Sequence, residues 1–179
     1  MLADGYVLRP LSADDSPALA AAAARNREHL RPWEPSRPES FFTEAGQREV
    51  VAGRLRQVEL GLFDCWLLWH GDDVVGSANL QNIVMGAMRG ADVGYWVDHG
   101  HLRRGLAVAL LQHLVQRGHD LGLHRLGGST MVANFASQGV LRRCGFEEVG
   151  RIPAFLYLDG DWRDSLLFNR VLHDGPPRG

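Results

Sequence analysis

Apolar and polar positions change period along this chain, and each change marks an element. Residues 6–10 alternate as a first strand. Residues 12–15 then offer capping side chains, Pro17 stands where a helix can begin, and the alanine-rich run 18–24 favours that helix. Pro32, Pro35 and Pro38 forbid a regular helix within 28–42, so this stretch reads as a loop carrying Trp33, Phe41 and Phe42. Thr43 caps the next helix, with Glu44 in its first turn. Val51, Leu55 and Val58 share one face of it, and Gly61 stops it. Runs 63–69 and 74–80 flank His70-Gly71-Asp72-Asp73 and predict a hairpin. A glycine-containing loop, 85–90, leads into a strand over 91–97.

The second half is patterned more sharply. Gly105 opens the most regular helix, in which Ala107, Leu110, Leu111, Leu114 and Val115 form one apolar stripe. Gly122 marks its exit. A strand over 125–132 contains the pair Gly127-Gly128. Asn134 begins a short helix with the apolar pair Val140-Leu141, ended by Gly145. Runs 152–158 and 162–172 form a last hairpin around Asp159-Gly160. This order predicts an α/β fold of the α+β type: a mixed sheet covered by helices. No internal repeat or long linker divides the chain, so one domain over 1–173 is expected, with a disordered tail at 174–179.

Composition narrows the function. The chain has 179 residues, 45% of them hydrophobic, enough for a core without disulfides or metals. The net charge of −2 gives little support to general nucleic-acid binding. Cys65 and Cys144 do not make a secreted disulfide framework and read as reduced, packed thiols. No basic segment followed by an apolar run opens the sequence, and no apolar stretch has bilayer length. A soluble cytoplasmic protein is the expectation.

Two segments carry candidate chemistry. The first is His101-Leu102-Arg103-Arg104-Gly105-Leu106-Ala107, between a strand and a helix. A helix N-terminus presents unpaired N–H groups and partial positive charge, which suit a pyrophosphate. Gly105 lets backbone approach closely, Ala107 keeps the first turn narrow, and Arg103 and Arg104 offer partners for phosphate oxygens. Taken alone, a plain turn with solvated arginines is the commoner meaning of such a pattern. The second segment is Asn134-Phe135-Ala136-Ser137, after the next strand. Asn134 offers a donor and an acceptor to an amide-bearing ligand, and Ser137 offers a hydroxyl proton. Both residues also suit an ordinary helix start.

Four strings stand in order: Gly94-Tyr95-Trp96-Val97, Arg104-Gly105-Leu106-Ala107, Asn134-Phe135-Ala136-Ser137 and Leu141-Arg142-Arg143-Cys144-Gly145-Phe146. Together they resemble the GNAT superfamily of N-acetyltransferases. Leu30-Arg31-Pro32-Trp33-Glu34-Pro35 and Gly160-Asp161-Trp162-Arg163-Asp164 resemble its ribosomal-protein N-terminal, or Rim-type, branch. The resemblance implies a mostly antiparallel mixed sheet whose fourth and fifth strands splay to admit a pantetheine arm. It implies acetyl-CoA as donor and no metal. It makes Val97 the residue whose backbone meets that arm, and Arg103, Arg104, Gly105 and Ala107 a pyrophosphate cradle. Asn134 becomes a coenzyme contact and Ser137 the proton donor to the leaving thiolate. Leu102 and Arg103 depart from the family pattern, which usually has glutamine or arginine followed by glycine.

An α-amine with a pKa near ~8, or a lysine amine near ~10.4, is mostly protonated at neutral pH, so the site must remove a proton. Glu34 ranks first among candidate bases and acceptor contacts, ahead of Asp92 and of Asp164, whose other role is to fix the last hairpin. Trp33 and Tyr95 join Glu34 as acceptor-binding candidates. His99 and His101 lack a third ligand at a convincing spacing, which makes zinc improbable. Cys144 reads as a helix-end packing residue. Three acceptor readings stay open: a protein α-amine, a small amine such as a polyamine, amino sugar or antibiotic, and a coenzyme-A-binding sensor with little turnover.

Overall fold

The computed structural model describes residue 2 and residues 4–176. Strand β1 (Tyr6–Pro10) is followed by a 3-10 turn over Ala13–Asp15 and helix α1 (Ser16–Leu30). Ser12 and Asp15 form a reciprocal cap at the turn, and Pro17 lies in the first turn of α1. Residues 28–30 remain helical, so the loop starts later than the prolines alone suggest: Pro32 bars only the helical turns beyond it. A short 3-10 turn (Glu39–Phe42) precedes α2 (Glu44–Glu59), whose N-cap is Thr43. Strands β2 (Asp64–His70) and β3 (Asp73–Val84) form the expected hairpin, and β4 (Gly90–Val97) comes next. Then come α3 (Leu106–Asp120), β5 (Arg125–Met131), α4 (Phe135–Arg143), β6 (Glu147–Leu158) and β7 (Asp161–Val171). Residues 174–176 lie in no helix or strand, and the last three positions of the expected tail fall outside the described residues.

Two further expectations need correction. Strand β6 begins at Glu147 rather than at 152. It is an outer strand, largely exposed and bulged at two places, so no apolar alternation announces its first half. Val58 does not join the buried stripe of α2 and is 37% exposed. Helix α2 leans on α1 and reaches the sheet mainly near Val51, so the end of its predicted face overhangs solvent.

The seven strands form one sheet in the order β1-β2-β3-β4-β5-β7-β6. All neighbours are antiparallel except β4 and β5. Helices α3 and α4 cover one face, where Leu110, Leu111 and Leu114 bury against Leu68, Leu80 and Leu126. Helices α1 and α2 cover the other, with Leu19, Ala22 and Val51 against Leu67 and Val74. Burying each such leucine contributes about 2 kcal/mol. The two cores hold β3 and β4 rigid from both sides, and the site opens beside that rigid pair. Among the described residues no helix is long and apolar enough to cross a membrane.

Candidate active site

The parallel pair β4–β5 is joined at Gly90↔Arg125, Ala91↔Leu126 and Asp92↔Gly127, and then separates. Residues 93–97 keep their antiparallel ladder with β3 and have none with β5. The backbone groups of β4 that turn toward β5 are therefore left facing an opening. That opening belongs to a cleft of about 760 Å³ reached from both faces of the sheet. Val97, Ala107, Asn134 and Ser137 line it on one side, and Trp33, Glu34, Phe42 and Ser77 on the other. Its size suits a small-molecule ligand.

On the first side, Gly105 is the N-cap of α3, with φ of +75° and no side-chain cap. A side chain there would be strained by this backbone, although it would meet nothing within 4 Å. The first N–H groups of this 15-residue helix receive no hydrogen bond from a capping side chain at Gly105. Leu102 and Ala107 line the cleft, while Arg103, Arg104 and Gly105 are exposed beyond its wall. Arg103 has φ of +60°, a left-handed conformation that glycine adopts without strain. The backbone of this loop keeps a shape glycine favours even though arginine occupies it.

Buried Asp98 anchors the loop from behind. One of its oxygens accepts from Arg25 Nε and Asn26 Nδ2, both at 2.7 Å, and the other accepts from the Gly100 N–H at 2.8 Å. Asn26 Oδ1 accepts from the His99 N–H at 2.9 Å. Burial alone would raise the Asp98 pKa, but the hydrogen bonds from Asn26, Arg25 and Gly100 and the Arg25 charge outweigh it and hold it at about 2. Helix α1 and the approach to the cradle are thereby fastened together. Sequence patterning carries no sign of this link, whose partners lie more than seventy positions apart.

Asn134 does cap α4: its Oδ1 accepts from the Ser137 N–H at 3.1 Å. The Ser137 hydroxyl lies 2.9 Å from the Tyr95 hydroxyl, and Tyr95 OH also reaches the Ser137 carbonyl at 3.3 Å. Burial pushes the Tyr95 pKa up to about 12, against the opposing Ser137 hydrogen bond. Tyr95 packs toward the α3–α4 core and its neighbour Trp96 toward the α1–α2 core, yet both reach the cleft.

Across the opening, the Glu34 N–H donates to the Leu30 carbonyl, so the loop begins by folding back on the end of α1. Burial raises the Glu34 pKa above the ordinary carboxylate range, opposed by the charges of Arg37 and Arg54. Trp33, Phe41 and Phe42 all line this side. Arg27 lies over the Phe42 ring and Arg37 over the Phe41 ring, which stiffens the wall. Gln47, Arg54, Ser77 and Asn79 also line it, with no motif to signal them.

Other candidates have partners elsewhere. Asp92 accepts from Asn82 Nδ2 at 3.0 Å. Asp164 accepts from the Ala154 N–H and from Arg151, which pins the bulge in β6 as its hairpin reading implied. His99 Nδ1 meets Asn26, and His101 Nδ1 meets the Tyr6 hydroxyl at 2.8 Å. Cys144 is buried at the end of α4 with its thiol on the Val108 carbonyl.

A model of the acetyltransferase (GNAT) domain matches residues 6–147, most of the chain and all of the parts just described up to α4. The chain belongs to the GNAT acetyltransferase family. It is an acyltransferase. This acetyltransferase is 30% identical to the ribosomal protein uS5 alanine N-acetyltransferase of Escherichia coli, over 97% of its own length and 91% of that protein. The crystal structure of ribosomal-protein-S5-alanine acetyltransferase from Vibrio fischeri superposes with a TM-score of 0.93 at 25% identity, covering 99% of this chain and 98% of that one. Mycobacterium smegmatis RimJ in complex with CoA-disulfide gives 0.87 at 28% identity, covering 93% and 81%.

Proposed function

We propose that residues 1–173 act as one catalytic unit that moves the acetyl group of acetyl-CoA onto the α-amine of a protein, with a ribosomal protein as the acceptor, in the cytoplasm. The observation that carries this reading is the separation of β4 from β5 into a cleft open to both faces. One side offers a helix N-terminus and a hydroxyl, the other a carboxylate among aromatic rings. Named relatives that act on ribosomal-protein alanine support the choice of acceptor.

The residues fit the donor. The α3 N–H groups behind Gly105, with Arg103 and Arg104 beside them, suit a pyrophosphate. Val97 and its neighbours offer backbone groups free of β5, and Ala107 leaves room at the first turn of α3. Asn134 commits its oxygen to the cap and keeps its amide nitrogen for the coenzyme.

On the acceptor side, Trp33 supplies an apolar wall and Glu34 attracts the incoming ammonium and takes its proton, directly or through water. A pKa above the ordinary carboxylate range brings Glu34 closer to the working pH of a general base. As the freed amine attacks the thioester carbon, negative charge builds on the carbonyl oxygen. A backbone N–H of β4 near Val97 stabilises it; one such donor is commonly worth about 3 kcal/mol. The carbon–sulfur bond then breaks, and the Ser137 hydroxyl donates to the departing sulfur. Tyr95 forms part of the wall between donor and acceptor.

Thiol release with unblocked ribosomal-protein N-terminal peptides, matched N-blocked peptides, spermidine and amino sugars tests the acceptor. Turnover confined to unblocked peptides is expected, with mass spectrometry placing the acetyl group on the α-amine. Turnover of a small amine alone would overturn it. Glu34→Gln is expected to cost about 10²-fold in turnover with acetyl-CoA binding retained. In the wild type, activity should fall with decreasing pH through a limb above the ordinary carboxylate range, because a raised pKa protonates the base sooner. The variant should lose that limb.

A further inference from the structure

Ser137 does not stand alone in the cleft. Its hydroxyl oxygen is 2.9 Å from the hydroxyl of Tyr95, a residue of β4 42 positions earlier in the chain. The contact spans the separation between β4 and the segment after β5, where the two strands themselves no longer pair. Both residues line the cleft, and the Tyr95 ring packs against the core beneath α3. The ring is therefore fixed, and it holds the hydroxyl of a helix that starts across the opening.

We propose that Tyr95 is a positioning residue for Ser137: of the two acceptors its single O–H proton reaches, Ser137 Oγ at 2.9 Å and the Ser137 carbonyl at 3.3 Å, it donates to the nearer Oγ, so that the serine proton is turned toward the departing sulfur. The inference rests on the role given to Ser137 above. A serine hydroxyl has one proton and two lone pairs. When Tyr95 donates to one lone pair, the serine proton is free to donate elsewhere, and the first bond polarises the second. Without Tyr95 the serine hydroxyl rotates among competing acceptors, its own helix carbonyls included. Tyr95 keeps its proton across the working range, because burial favours its neutral form.

The proton balance is simple. The amine nitrogen bonds to the acetyl carbon, the carbon–sulfur bond breaks, and its electron pair goes to sulfur. A thiolate whose thiol has a pKa near ~8.5 cannot strip a serine of its proton, so Ser137 and Tyr95 both keep theirs and act as hydrogen-bond donors; the sulfur leaves as thiolate and takes a proton from solvent. The amine nitrogen loses one proton on the acceptor side before attack and a second, by way of water, as the amide forms. Tyr95 contributes only while charge grows on sulfur, so its removal should appear in kcat and not in the binding of either substrate.

A double-mutant cycle of Tyr95→Phe and Ser137→Ala tests this, with kcat, the KM for acetyl-CoA and the melting temperature measured for each. Phenylalanine retains the packed ring. Tyr95→Phe is expected to lower kcat by about tenfold, with KM and melting temperature close to wild type. Ser137→Ala should lower it by about 10²-fold, and the double variant should match Ser137→Ala alone. If Tyr95→Phe leaves kcat unchanged, or if the two losses multiply, the positioning role is overturned while Ser137 keeps its own. If Ser137→Ala has no effect, the role of Ser137 itself fails. Should Tyr95→Phe melt early, Tyr95→Leu supplies the control: equal kcat losses in folded samples of both variants support the hydroxyl's role, and full activity in Tyr95→Leu overturns it.

Discussion

Strand β4 has two edges, and they differ in kind. Toward β3 it is paired from Gly90 to Val97 and clamped between two cores. Toward β5 it is paired for three residues and then abandoned. The closed edge satisfies its backbone within the protein. The open edge leaves backbone groups for a ligand, and the residues brought to it are polar: Tyr95, Ser137, Asn134 and, from the far side, Glu34. A sheet cannot leave hydrogen bonds unmade without cost, and here the rigidity of the closed edge makes the open one possible. The groups proposed for catalysis gather where pairing stops: Tyr95 on β4 itself, Ser137 at the start of α4 and Glu34 in the loop after α1.

Three substitutions sharpen this contrast, beginning with the strongest. Asp98 lies just past β4 and fastens α1 to the loop that enters the cradle. Its folded pKa of about 2 lies below the ordinary value near ~3.9, so its stabilisation is complete above pH ~4 and fades as pH falls toward ~2. The linked free energy is about 2 to 3 kcal/mol. Asp98→Asn should lose roughly that amount at neutral pH and show a flatter stability profile between those limits, as read by urea unfolding at each pH. An unchanged profile would mean the link does not bear on folding. Gly105→Val touches the open region. With no neighbour to clash against, its effect should come from the left-handed backbone and the blocked helix N-terminus: about tenfold weaker acetyl-CoA binding by calorimetry, in a protein that still folds. Gly76→Ala probes the closed edge instead. A methyl there would lie 2.8 Å from the Trp96 carbonyl, and a loss of about 1 kcal/mol in stability is expected, with the KM for acetyl-CoA unchanged. If Gly76→Ala altered KM as much as Gly105→Val does, the two edges would not be independent.

The helices, the hairpin over 64–84 and the glycine start of α3 were legible because each is local. An apolar stripe, a cap or a glycine stop acts within a few residues, and the chain carries those signals in order. Glu34 and Trp33, which line the cleft, were singled out through the string Leu30 to Pro35 rather than through any periodicity. The first half of β6 was not legible, because an exposed outer strand has no buried face to impose alternation. Val58 departs from its pattern for the related reason that a helix's apolar face need not be covered along its whole length.

Local pattern in the chain thus settles which elements form, where α3 begins with its N–H groups open, and which residue types flank it. Packing in three dimensions decides that β4 and β5 part after Asp92 and Gly127, that Asp98 meets Asn26 and Arg25, and that Tyr95 meets Ser137. The reason is separation along the chain. Local preferences act through neighbouring backbone and side chains. A hydroxyl 42 residues from its partner finds it only after two strands have been packed, aligned and then allowed to diverge.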